Sequence, residues 1–196
     1  MPAENGSAEK IRPLRADAQV NHDRLLDAAA RAFAREGTKA SLKAIAKDAG
    51  VGIGTLYRRF PTRDKLVWET YRNEVARLCA AAPGLLETRP PAAALRIWMD
   101  RFVDLITTKH GMADTLRAGL IAEGDLRVET HNLLADALAT LLAAGVADRT
   151  IRPDIDPNDV VMALGGVTLI AGEPGQRELA GRLLDLLMDG LSCRNA

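Results

Sequence analysis

Residues 41–66 read SLKAIAKDAGVGIGTLYRRFPTRDKL, and this stretch decides the architecture. Ser41, a residue type suited to an N-cap, opens a short helical pattern in which Leu42, Ile45, Ala46 and Ala49 share a face. Gly50 ends that pattern. A second short helix starts near Ile53, turns Leu56 and Phe60 inward, and stops before Pro61. Two helices joined this tightly must cross steeply. The turn therefore needs a residue that tolerates positive φ, which Gly50 supplies, and the crossing needs a small side chain, which Ala46 supplies. This is the helix-turn-helix shape, whose second helix lies in the major groove of DNA. With Leu56 and Phe60 turned inward, Thr55, Tyr57, Arg58 and Arg59 remain on other faces, where they suit phosphates and base edges.

Outward from this stretch the pattern stays helical. Upstream, Leu25, Ala29 and Phe33 fall on one face of a helix that begins near Asn21 and stops at Gly37. Residues 1–20 show no apolar period and read as a flexible arm carrying Lys10, Arg12 and Arg15. Downstream, Thr62 caps a long helix bearing Leu66, Val67, Tyr71, Val75 and Leu78, with a stop expected around Pro83-Gly84. Helices are expected over 92–109, 112–122 and 126–144, the last apolar almost all round and therefore central. Asp156-Pro157 is a strong start signal for a helix running to Gly172, and a final helix spans 176–190. No alternating β-pattern competes. The chain is expected to be all-α: an arm (1–20), a helix-turn-helix head (21–66) and a helical body (67–196).

Hydrophobic residues make up 47% of the 196 and charged residues 27%, which permits a packed core and excludes a wholly disordered chain. The net charge is zero, yet residues 1–65 hold 13 Lys/Arg against 8 Asp/Glu while residues 66–196 hold 13 against 18. A basic head on an acidic body suits a polyanion partner for the head. Cys79 and Cys193 have no CxxC or nearby ligand spacing, so neither a disulfide framework nor a thiolate zinc site is expected. His22, His110 and His131 are isolated, which argues against any metal. No run of about 18 apolar residues predicts a membrane span, and the polar N-terminus lacks the pattern of a secretory signal, so a cytoplasmic location is expected. No phosphate-binding loop, dinucleotide fingerprint, HExxH or nucleophile elbow occurs, and Glu123 and Asp125 have no identifiable partner. Neither enzymatic activity nor a cofactor is expected.

The run from Ala49 to Phe60, followed by Pro61-Thr62-Arg63-Asp64-Lys65-Leu66, closely resembles the TetR family of transcriptional regulators, and the resemblance covers residues 21–67. The body, with Gly165-Gly166 inside a helix, then Gly172-Glu173-Pro174-Gly175 and a leucine-rich last helix, resembles the SbtR-like branch. The resemblance implies a ligand-responsive repressor that binds a palindromic operator in double-stranded DNA as a homodimer. It implies phosphate positioning by Tyr57, Thr55 and Arg63, the last at a helix N-terminus. Lys43, Arg58 and Arg59 are the expected readers of base edges, with Ile53 and Gly54 allowing close apolar approach. Gly52 stands where relatives often have Ser, and Arg63 where they often have Lys.

In the body, Trp98, Phe102 and Met112 are the expected walls of a cavity for a small, largely apolar effector. The last two long helices are expected to pair two chains through Val160, Leu164, Val167, Leu179, Leu183, Leu186 and Leu187, with Gly165-Gly166 permitting close approach.

Overall fold

The computed structural model describes residues 8–107, 124–171 and 174–193. Among them the regular structure is helical, apart from an isolated antiparallel bridge between Ile151 and Ser192. The chain divides into two compact units, one ending at Tyr71 and one beginning at Arg72.

The first unit is built from α1 (Ala8–Glu36), α2 (Leu42–Asp48), α3 (Ile53–Arg59) and the start of α4 (Arg63–Ala80). α1 begins well inside the stretch read as an arm. That reading rested on a missing apolar period, which reports burial rather than helicity. Residues 8–20 are rich in Ala, Arg, Glu, Lys and Gln, all good helix formers. The side chains of Lys10, Arg12 and Arg15 lie outside the described part. α1 stops at Glu36, followed by a 3₁₀ turn in which Gly37 takes φ +58°. Leu25, Phe33, Ile45, Leu56, Phe60 and Leu66 are all essentially inaccessible and form the core of this unit. Burying each stabilises the unit by about 1.5–3 kcal/mol before the entropy of ordering is counted. The expected inward faces of all four helices are the observed ones.

The second unit comprises the end of α4 with α5 (Ala82–Thr88), α6 (Pro91–Thr107), α7 (Gly124–Ala147), α8 (Pro157–Ala171) and α9 (Arg177–Leu191). α7 is central, packing against α5, α6 and α8, and Leu138 and Leu141 are fully buried. Val128–Ala147 within α7 is long and apolar enough to cross a membrane, but here it packs as a core helix. α5 was not anticipated: Pro83 reads as a stop, yet it sits in the first turn of a new helix, where a missing N–H costs nothing. The expected helix over 112–122 lies outside the described residues. Asp156 caps α8 as its sequence position suggests, its Oδ1 accepting from Asn158 N at 2.8 Å.

α8 departs from expectation in the face it presents. Val160 and Leu164 are buried within this unit, and Val167 is half-buried. Met162, Leu169 and Ile170 point outward at 69%, 83% and 67% exposure, on the same side as the exposed Gly165 and Gly166. The apolar period of α8 runs all round the helix, so its sequence alone does not tell the inner face from the outer.

Candidate nucleic-acid interface

The turn between α2 and α3 follows from its residues. Ser41 Oγ accepts from Ala44 N at 3.4 Å and caps α2. Gly50 closes the helix at φ +70°, and Val51 N donates to Ala46 O at 2.9 Å. α3 then starts from Gly52, whose carbonyl accepts from Thr55 N at 2.9 Å, with no side-chain cap. Leu56 and Phe60 anchor α3 from below, and Ala46 is buried at the crossing.

The expected DNA-facing side chains are distributed unevenly. Lys43, Ile53, Gly54, Tyr57, Arg58 and Arg59 are exposed, Tyr57 at 49%, while Thr55 is half-buried. Thr55 Oγ1 accepts from Arg58 Nη2 at 3.2 Å, so the guanidinium rests along its own helix. Arg63 is different. It is half-buried, and its Nη1 donates to Ala40 O at 2.8 Å, tying the first turn of α4 to the residue before the α2 cap. Its guanidinium thus has an intramolecular task beside any phosphate contact. Thr62 caps α4 as expected, its Oγ1 accepting from Lys65 N at 3.1 Å.

Two neighbours of this surface escaped the sequence reading. Lys47 lies one turn beyond Lys43 on α2, and both are exposed with no ion-pair partner among the described residues. The i, i+4 spacing of the two lysines was the available signal. An open concavity of about 530 Å³ lies between α2 and α3, with Lys43 and Lys47 beside Ala44, Val51 and Ile53. The other neighbour is His22 of α1, whose ring stacks on Phe60 with centroids 5.4 Å apart. Burial and the adjacent Arg59 charge hold the His22 pKa below its ordinary value, against the opposing pull of Asp23 and Glu69.

In the second unit, Trp98 and Phe102 are both buried and stacked, with ring centroids 6.2 Å apart. Trp98 Nε1 donates to Leu78 O at 3.0 Å, a carbonyl in the last turn of α4 that also accepts from Ala81 N at 3.3 Å. Both rings are therefore held fixed inside this unit. Met112 lies outside the described residues. Cys79 is half-buried, and desolvation together with Asp136 pushes its thiol up to about 11. Among the described residues no cluster of His, Cys, Asp or Glu could hold a metal ion.

Comparison with known proteins agrees with this geometry. Residues 25–70 match the family model for bacterial regulatory proteins of the tetR family, and residues 90–193 match the C-terminal domain of SbtR-like transcriptional regulators. The crystal structure of the TetR transcriptional regulator SCO0520 from Streptomyces coelicolor shares 50% identity at a TM-score of 0.77, covering 88% of this chain and 99% of that one. A TetR regulatory protein from Mycobacterium vanbaalenii shares 32% identity at a TM-score of 0.69, covering 92% and 100%. The HTH-type transcriptional repressor KstR2 of Mycolicibacterium smegmatis is 28% identical over 87% of this chain and 90% of its own length.

Proposed function

The chain belongs to the TetR family of transcriptional regulators, not to a family of enzymes, and from that premise we propose that it is a ligand-responsive repressor acting as a homodimer on a palindromic operator. The observation that carries this reading is the α2–Gly50–α3 unit, with cations and a phenol on its outer surface and a fully buried inner one. α3 is seven residues, about two turns, and can address only a few base pairs. Useful specificity therefore asks for two heads, and two-fold symmetry asks for a palindrome.

Within each head, Lys43, Arg58 and Arg59 are assigned to base edges, and Tyr57 and Thr55 to phosphate positioning. Arg63 is assigned to phosphate as well, with its bond to Ala40 O holding it in place. Pairing of two chains is assigned to α8 and α9. Support comes from the outward stripe Met162, Gly165, Gly166, Leu169 and Ile170, and from Leu186 on α9, exposed at 67%. A contiguous apolar surface of this kind is unusual on a monomer. The effector is assigned to the body, near Trp98, Phe102 and Met112. It acts by binding one spacing of the two heads better than the other, since only differential affinity can release DNA.

A mobility shift on duplex DNA flanking the encoding locus tests the reading. The expected result is a discrete complex that weakens as salt rises, because phosphate contacts release counterions. Replacing Lys43, Arg58 or Arg59 by Ala, where it reads a base, should cost about 1–3 kcal/mol and relax preference at one symmetric position. Retention of full operator selectivity by the triple alanine variant would overturn the assignment of base readers. Absence of any specific complex would overturn the function.

A further inference from the structure

We infer that the concavity between α2 and α3 is a seat for a thymine base edge, with Ile53 and Val51 against the C5-methyl and Lys43 donating to O4. The inference rests on the DNA-binding reading above and adds which base is read and by what. Ile53 is 38% exposed, and it is flanked by Gly52 and Gly54, at which an added Cβ would meet nothing within 4 Å. The leading edge of α3 therefore presents one side chain, and that side chain is apolar. Water gains nothing from this exposure, whereas a methyl group would desolvate it.

The walls of the concavity match one base better than the others. Ala44, Val51 and Ile53 supply apolar surface, and Lys43 and Lys47 supply ammonium donors that no carboxylate of the described chain engages. In the major groove only thymine carries a methyl beside an acceptor oxygen. Cytosine would set its amino donor against the lysine and leave the apolar wall empty. Adenine likewise presents an amino donor, and guanine offers acceptors without a methyl. Lys47, one turn further along α2, is placed to meet the neighbouring phosphate as a point charge.

The test uses the full chain and duplexes that it enriches from a random-sequence library. Each thymine in an enriched site is replaced, one symmetric pair at a time, by deoxyuridine, which lacks only the methyl. The expected result is about a fourfold loss of affinity per half-site at one pair, the equivalent of one buried methyl group, with the other positions indifferent. Ile53→Ala should shrink the thymine–uracil difference at that pair to the part Val51 supplies, and Ile53→Val should retain more of it. Ile53 carries little of the core, and unchanged thermal unfolding of both variants confirms that the head is intact. Enriched sites with a flat uracil scan would overturn the thymine seat and leave DNA binding standing. So would a thymine–uracil difference that Ile53→Ala leaves undiminished. Failure to enrich any sequence would remove the DNA-binding reading, and the seat with it.

Discussion

At the scale of single residues, the tightest constraint lies outside the head. A Cβ added at Gly145 in α7 would fall 2.3 Å from Ile151 Cγ1 and 2.9 Å from its Cβ. Ile151 is buried, and its N–H bonds to Gly145 O at 3.1 Å, so neither partner can retreat cheaply. Gly145→Ala should lower stability by about 1–3 kcal/mol, the usual range for overpacking, in urea unfolding. An unchanged midpoint would mean that the turn is not packed this way. His22 sets a pH dependence. Its pKa is depressed in the folded head, so the unfolded chain binds more protons once the pH falls below about 6.5. Its contribution is therefore complete above that pH and declines below it. The thermal midpoint should drop from pH 7.5 to 5.5, and His22→Phe, which keeps a ring against Phe60, should reduce the drop. An identical drop in the variant would assign the effect elsewhere.

At the scale of elements, the join between α6 and α9 is electrostatic at its edge. Arg177 donates to Asp104 Oδ1 at 2.7 Å and to Asp100 Oδ1 at 2.6 Å, while Arg96 also pairs with Asp100 and reaches Asp185 at 2.9 Å and Gly181 O at 3.2 Å. These side chains are partly exposed, so each pair contributes little, although the shared Asp100 lowers the entropy cost of the second contact. A double-mutant cycle on Arg177 and Asp100 should give a coupling of about 0.2–1 kcal/mol that shrinks in high salt. A salt-independent coupling would point to packing instead. Nothing in the sequence announced this network, since its members lie up to 89 positions apart. The helix starts were readable because Ser41, Thr62 and Asp156 act locally through their own side chains. α5 was not, because proline marks the start of a helix as well as the end of one.

At the scale of the whole molecule, the testable consequence is self-association. Leu169, exposed at 83%, lies on the outward face of α8, two residues from its C-terminal end. Leu169→Glu should leave the fold of one chain intact and convert a dimer of the 21.1 kDa chain into monomer in light scattering. Affinity for a palindromic duplex should fall with it, because the second head no longer binds as part of the same molecule. A variant that remains dimeric would exclude α8 as the pairing surface. The charge split between the two parts of the chain bears on the partner rather than the fold, as net charge generally does.

The sequence by itself determined the helical class, the inward faces of the head helices and the turn at Gly50. It also determined that the head displays Lys43, Arg58, Arg59 and the Tyr57 phenol. All of these depend on local rules: apolar spacing, caps, and a backbone angle that glycine adopts freely. Only the tertiary structure decided which side of α8 faces solvent, that Trp98 spends its indole N–H on Leu78 O, and that Arg63 is tied to Ala40 O. It also decided that Lys43, Lys47 and Ile53 border one concavity. Each of these is a contact between segments whose separation along the chain carries no periodic signal. On a helix apolar all round, the identity of the neighbour, not the residue itself, settles what is buried.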